Sequence, residues 1–236
     1  MKLKAPAETY SDLRPQNIFS ERYRHLLLLL YWPLYMVVFR FLETDYARYV
    51  TSLGKRFHVI ESPIDSLIPF NELFVIPYIF WFIYIVLSLA YTLFYDVDTF
   101  KRLMCFIMIT YSVALICYFV YPSIQLLRPA AFERQNFLTE FMSDFYAYDT
   151  NTNVCPSVHV IGSIASTIGF VYAKGVSRGV KISAQILNIF ICLSTVFLKQ
   201  HSVIDIFAAL PVSLFAYFVC FKFEGIKKPH KKKVKI

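Results

Sequence analysis

Charged residues are scarce in this chain of 236: Asp, Glu, Lys and Arg together make up 17%, against 57% hydrophobic and 18% aromatic residues, with a mean hydropathy of +0.52. That shortage excludes a disordered segment and a coiled coil, both of which need a polar majority. Cysteine is sparse in pattern as well as number. There are five, no C-x-x-C pair occurs, and Cys105, Cys117, Cys192 and Cys220 lie inside apolar runs. Neither a disulfide framework nor a zinc site follows from such spacing. No carboxylate cluster calls for a divalent metal. No internal repeat appears, and no small-residue cleavage pattern follows the first apolar run, which reads as a retained span. Basic residues outnumber acidic ones to a net +8, yet they gather at the two ends of the chain rather than among interleaved aromatics. Nucleic acid is therefore not an expected partner.

What the chain has is apolar length. A membrane-crossing helix needs about 20 apolar residues, and the pattern predicts six spans, at 26–42, 73–95, 103–121, 157–174, 182–198 and 203–223. The expected fold is all-α, a polytopic membrane helix bundle of about six transmembrane helices. Residues 1–25 form a polar N-terminal segment, 26–223 the membrane domain and 224–236 a basic tail. Short links predict antiparallel hairpins for the second and third spans and for the fifth and sixth, leaving long connections at 43–72 and 122–156. Within the first of these, Asn71 is a plausible N-cap for the second span. Counting Lys and Arg near the spans puts 17 of the 24 on the side of both termini. The positive-inside rule makes that side cytoplasmic, in a protein expected at the cell membrane.

Several polar residues then collect at span ends on the opposite, extracytoplasmic face. Arg128-Pro129 lies in the loop before the fourth span, which ends in Cys155-Pro156-Ser157-Val158-His159. Lys199-Gln200-His201-Ser202-Val203-Ile204-Asp205 leads into the sixth. An acidic residue within an apolar run costs about 2.5–3.5 kcal/mol on insertion scales and is expected to face a partner. For Asp205 that partner is His201. Four residues apart on one helix face, the carboxylate orients one ring nitrogen and leaves the other as nucleophile or base. Pro156 suits the first turn of a helix whose free N–H groups, beside Ser157 and His159, attract an anion. A phosphate held there by Arg128 and Lys199 would lie between His201 and His159, an arrangement suited to in-line displacement with a separate acid.

The order RP, PSVH and HSVID resembles the three signature motifs of the type 2 phosphatidic acid phosphatase superfamily, roughly K-x6-RP, PSGH and SR-x5-H-x3-D, over about residues 68–220. The resemblance implies that His201 is the nucleophile forming a phosphohistidine, Asp205 its orienter and His159 the acid for the leaving oxygen. Arg128 and Ser157 would bind phosphoryl oxygens, with no metal and no cofactor. Three positions depart from the pattern: Tyr121 stands where the family has lysine, Ser194-Thr195 where it has SR, and Val158 where it has glycine. Two cationic contacts are missing, and Lys199 and Arg134 are the candidate substitutes. The expected activity is hydrolysis of a membrane lipid phosphate or a polyprenyl diphosphate. Two alternatives stay open: a lipid phosphotransferase that passes the phosphoryl group to an alcohol, resembling the family's inositol phosphorylceramide synthase-like branch, and an inactive scaffold or transporter. The lipid, the acceptor and the oligomeric state are not fixed by the sequence.

Overall fold

The computed structural model describes residues 9–54 and 56–223. The chain forms helices α1 (Arg24–Ser52), α2 (Pro63–Leu67), α3 (Glu72–Tyr95), α4 (Val97–Val120), α5 (Phe137–Tyr148), α6 (Val158–Tyr172), α7 (Arg178–Phe197) and α8 (Val203–Lys222). A two-residue parallel pair, β1 (His58–Val59) and β2 (Ser123–Ile124), ties the long connections together. Five helices, α1, α3, α4, α7 and α8, are long and apolar enough to cross a bilayer, and α6 is a shorter apolar one. The molecule is an all-α helical bundle of membrane character.

Local chemistry sets the boundaries. Asn71 caps α3, its Oδ1 accepting from the Leu73 N–H at 3.0 Å. Asp96 closes α3 and opens α4, accepting from the Thr99 hydroxyl at 2.9 Å. One residue thus makes the whole reversal. The first helix outruns its expected end at 42 because it passes through a π-helical turn, Leu42–Tyr46, and continues to Ser52 despite Glu43, Asp45 and Arg48. The connection 122–156 holds an unforeseen helix, α5, whose Leu138, Phe141, Met142 and Phe145 pack against the start of α3 and Leu198. The fifth and sixth spans do reverse through Leu198–Ser202, but α6 lies between them and is the main neighbour of α7.

α6 is the central strut, packed on α3, α4, α7 and α8. Its backbone approaches its neighbours closely: a Cβ on Gly162 would lie 2.6 Å from the Tyr111 hydroxyl and 2.8 Å from Trp81 Nε1, and one on Gly169 would collide with Ser88. Its 15 residues rise about 22 Å at 1.5 Å each, short of a hydrocarbon core about 30 Å thick. Its cap, Ser157, is fully buried, so the helix begins beneath the surface of the bundle.

The bundle has two unlike ends. At one, the C-termini of α1, α4 and α7 meet the N-termini of α3, α6 and α8: the Asn71 N–H donates to Phe197 O at 3.1 Å, Tyr118 to Pro156 O at 2.7 Å, and the Ser157 N–H to Asp205 O at 3.2 Å. At the other, Lys174 meets Asp96 at 3.4 Å, Lys181 donates to Val171 O at 2.6 Å, and Tyr172 bonds Tyr217. The N-terminal and C-terminal lysines counted for orientation, Lys2, Lys4 and those from 227 onward, lie outside the described residues, as do Lys55 and the tail 224–236.

Candidate functional site

The first turn of α8 builds the core of the site. Ser202 is the N-cap, its Oγ accepting from the Ile204 N–H at 3.1 Å, and Asp205 reaches back so that Oδ2 accepts from the Ser202 N–H at 3.0 Å. The same Oδ2 lies 3.0 Å from His201 Nδ1. His201 therefore sits one residue before the cap, not on the helix face. The reciprocal bond that starts the helix also holds the carboxylate against the imidazole. Backbone geometry fixes the ring from the other side, since the N–H groups of Gln200 and His201 both donate to Thr195 O, at 2.9 and 3.0 Å.

An ionised carboxylate only accepts, so His201 Nδ1 carries the proton and Nε2 presents its lone pair. That lone pair meets His159 Nδ1 at 3.2 Å. His159, on the first turn of α6, stacks between Tyr78 and Trp81, with ring centroids 4.7 and 4.5 Å away. All three members are sequestered: His159 is 9% exposed, His201 6% and Asp205 0%. A buried chain of carboxylate, imidazole and imidazole can pass a proton or release a nitrogen lone pair, but only toward a small cavity beside it.

That cavity offers about 30 Å³ to the centres of water-sized groups and is walled by Glu43, Tyr118, Asp149, Asn153, Gln200 and the two histidines. It has room for little more than a water-sized group as it stands. Its roof is well anchored. Thr150 donates to Glu43 at 3.0 Å, Gln125 N to Asn151 O at 3.0 Å, and Asn153 N to Ser123 O at 2.6 Å.

The expected phosphate contacts are placed less directly. Arg128 lies behind the cavity, with Nη1 donating to Tyr146 O at 2.9 Å and Nη2 to Asp149 O at 2.8 Å, Thr150 O at 3.1 Å and Gln200 Oε1 at 2.6 Å. Its guanidinium also lies 4.4 Å from the centroid of the Tyr146 ring. Burial lowers its pKa, and Asp149 and Tyr146 oppose that shift; an arginine remains charged throughout. The Ser157 hydroxyl accepts from the Val160 N–H at 3.4 Å and caps α6. Pro156 precedes that cap and does not occupy the first turn. Lys199 is not brought to the histidines. Its Nζ donates to Asp65 O at 2.7 Å and to Ile68 O, and burial lowers its pKa. Arg134 pairs with Glu72 at 3.1 Å, and Tyr121 stacks on His58 at 3.7 Å. Burial, and then the Asp205 charge, push the Cys155 thiol up to about 12, away from the thiolate form in which cysteine is nucleophilic.

Three contributors escaped the sequence reading. Asp65 accepts from the Ser202 hydroxyl at 2.6 Å and the Val203 N–H at 2.8 Å, so the 56–71 connection is strapped across the mouth of α8. Asp149 joins the cavity wall, its carboxyl pushed up by burial and pulled back by Arg128 and His201. Glu43 arrives through the unforeseen extension of α1. The one sequence signal was Asp65 within ESPIDSLIP, an acidic residue among prolines and apolar residues ahead of the second span. Among the described residues no group of three or more His, Cys, Asp or Glu side chains is disposed around a metal position. No family model, curated protein or solved structure matches the chain, and the site stands on its own chemistry.

Proposed function

We propose that this is an integral membrane enzyme that removes a phosphoryl group from a lipid phosphate or diphosphate through a phosphohistidine on His201. The observation that carries the reading is the buried chain Asp205 Oδ2, His201 Nδ1, His201 Nε2, His159 Nδ1, with contacts of 3.0 and 3.2 Å. His201 Nε2 attacks phosphorus, and Asp205 stabilises the positive imidazole that results. His159 supplies the proton to the leaving lipid oxygen, so one N–P bond forms as one P–O bond breaks. Water activated by His159 then cleaves the N–P bond and frees phosphate. At 3.2 Å the two rings touch, so an entering phosphoryl group must replace that contact.

A second reading, transfer to an alcohol instead of water, draws on one observation: Lys199 and Arg134, the substitutes for the missing family cations, are engaged elsewhere. We place the site on the extracytoplasmic side with both termini in the cytoplasm, because Lys174, Arg178, Lys181 and Lys222 belong to the opposite end of the bundle.

The test is free phosphate release by the purified protein in detergent with chelator, over phosphatidic acid, phosphatidylglycerol phosphate and polyprenyl diphosphates. His201→Ala should abolish release while membrane insertion persists. Activity within a few-fold of wild type in that variant would remove the nucleophile assignment. A phosphate ester of the added alcohol, formed in place of free phosphate, would establish the transferase reading.

A further inference from the structure

Two carboxamides in the cavity wall have hydrogen-bonding capacity that the fold does not use. Asn153 is 4% exposed, and neither its Oδ1 nor its Nδ2 has a partner. Gln200 is 3% exposed, and its Nε2 is likewise without a partner. Buried polar groups are nearly always paired, so two spare amides in one small cavity call for an explanation. Their placement is not accidental slack. Asn153 is held at φ 55°, a left-handed conformation that asparagine tolerates better than most residues, and its backbone N–H is fixed on Ser123 O at 2.6 Å. The orientation of Gln200 is unambiguous, because Arg128 can only donate: Oε1 must face Nη2 at 2.6 Å, which turns the Nε2 protons away from the arginine. Both side chains and both histidines line the same cavity.

The charge around them is equally informative. Glu43 and Asp149 stand in the wall, and Asp205 stands behind His201. The nearest guanidinium, that of Arg128, spends its Nη protons on three backbone carbonyls and on Gln200 Oε1. Its charge reaches the cavity through the Gln200 amide, which it polarises so that Nε2 becomes a stronger donor.

We infer that Asn153 and Gln200 are the phosphoryl-oxygen donors of this site, with Arg128 a positioning residue acting through Gln200, and that this neutral cradle selects a phosphoryl group bearing one negative charge. Such a group is found in a phosphodiester or in the protonated form of a phosphomonoester. A second negative charge would enter a buried cavity whose wall holds two carboxylates and no Lys or Arg side chain. The inference rests on the phosphohistidine reading for its catalytic sense, but the binding it describes can be measured without turnover.

The experiment uses the purified full chain in detergent and two small probes, dimethyl phosphate and methyl phosphate, at pH about 8, well above a phosphomonoester's second pKa of about 6. Binding is read from the shift of the thermal unfolding midpoint with probe concentration. Dimethyl phosphate should bind at least roughly tenfold more tightly than methyl phosphate. Asn153→Gly, which keeps the left-handed backbone accessible, and Gln200→Glu, which keeps shape and the Arg128 contact, should each weaken dimethyl phosphate by roughly tenfold or more. His201→Ala should still bind it. Tighter binding of methyl phosphate at that pH, no binding of either probe, or unchanged binding in both variants would overturn the inference. If binding behaves as expected but neither a lipid phosphomonoester releases phosphate nor a lipid phosphodiester is cleaved to a phosphomonoester, the phosphohistidine reading fails and the cradle stands. If turnover requires His201 while both variants keep the wild-type KM, the cradle fails and the phosphohistidine reading stands. The two sources separate by pH: a lipid phosphodiester would be used at neutral pH, whereas a monoester such as phosphatidic acid would be used increasingly as pH falls toward about 6.

Discussion

Each end of the bundle buries an aspartate, and the two are treated in opposite ways. Asp96, 4% exposed, is surrounded by groups that only need to be satisfied: the Thr99 hydroxyl at 2.9 Å, the Lys174 N–H at 3.0 Å and the Lys174 ammonium at 3.4 Å. Burial alone would raise its pKa, but these donors hold the carboxyl below the usual range. Nothing is left over, and the result is a clasp between the α3–α4 turn and the end of α6. Asp205 faces an imidazole instead. The second nitrogen of that ring meets another histidine, and the Asn153 amide and the Gln200 Nε2 stand nearby without partners. A buried carboxylate whose neighbours are all spent serves the fold. One whose neighbours keep donors and lone pairs in reserve is placed to serve a ligand.

Breaking each end should therefore produce different symptoms, and the largest is at the site. Asp205→Asn should lower turnover by roughly 10²- to 10⁴-fold, the range that loss of a histidine's orienting carboxylate produces, while the protein still inserts and unfolds cooperatively; kcat for phosphate release is the readout. Next comes the strut that joins the two ends. Gly162→Ala, which brings a methyl group against Tyr111 and Trp81, should cost about 1–3 kcal/mol of stability and also depress turnover, because Trp81 packs on His159. Thermal unfolding and kcat measured on one preparation check both. Asp96→Ala should cost about 1–3 kcal/mol yet leave kcat within about twofold, since the half-exposed Lys174 contributes little to the loss. The sign of its pH dependence follows from the depressed pKa. The stabilisation is present above the unfolded value of about 3.9 and is lost as pH falls through the lower folded one, so the acid limb of a stability profile should flatten in the variant. The smallest effect is expected from Lys199→Met: a KM within about twofold of wild type and a stability loss of about 1 kcal/mol, because its ammonium serves the carbonyls of Asp65 and Ile68. A large rise in KM would return that cation to the phosphate.

Helix positions were legible because apolar runs state them directly. What hid was wherever polarity and structure part company. Past Phe41 the sequence turns polar while α1 continues, so Glu43 came to the cavity from a segment read as loop. α5 hid because its apolar face is only a few residues wide and sits among charged and polar residues. Within the site, the His201–Asp205 spacing pointed to the right pair, though through a helix cap and not a shared helix face. Arg128 and Lys199 illustrate the limit: a sequence shows that a cation is near, but not whether carbonyls have already claimed it. Asn153 and Gln200 carry no charge and no motif, and only the absence of partners draws notice to them.

The shortness of α6 has a consequence for hydrophobic mismatch. Helices exposed to lipid must match the thickness of the bilayer or tilt to meet it. α6 is enclosed by α3, α4, α7 and α8, so its length is released from that requirement and is free to be set by how deep the histidines must lie. Bilayers of different thickness should therefore change the tilt of the outer helices before they change the depth of the chemistry.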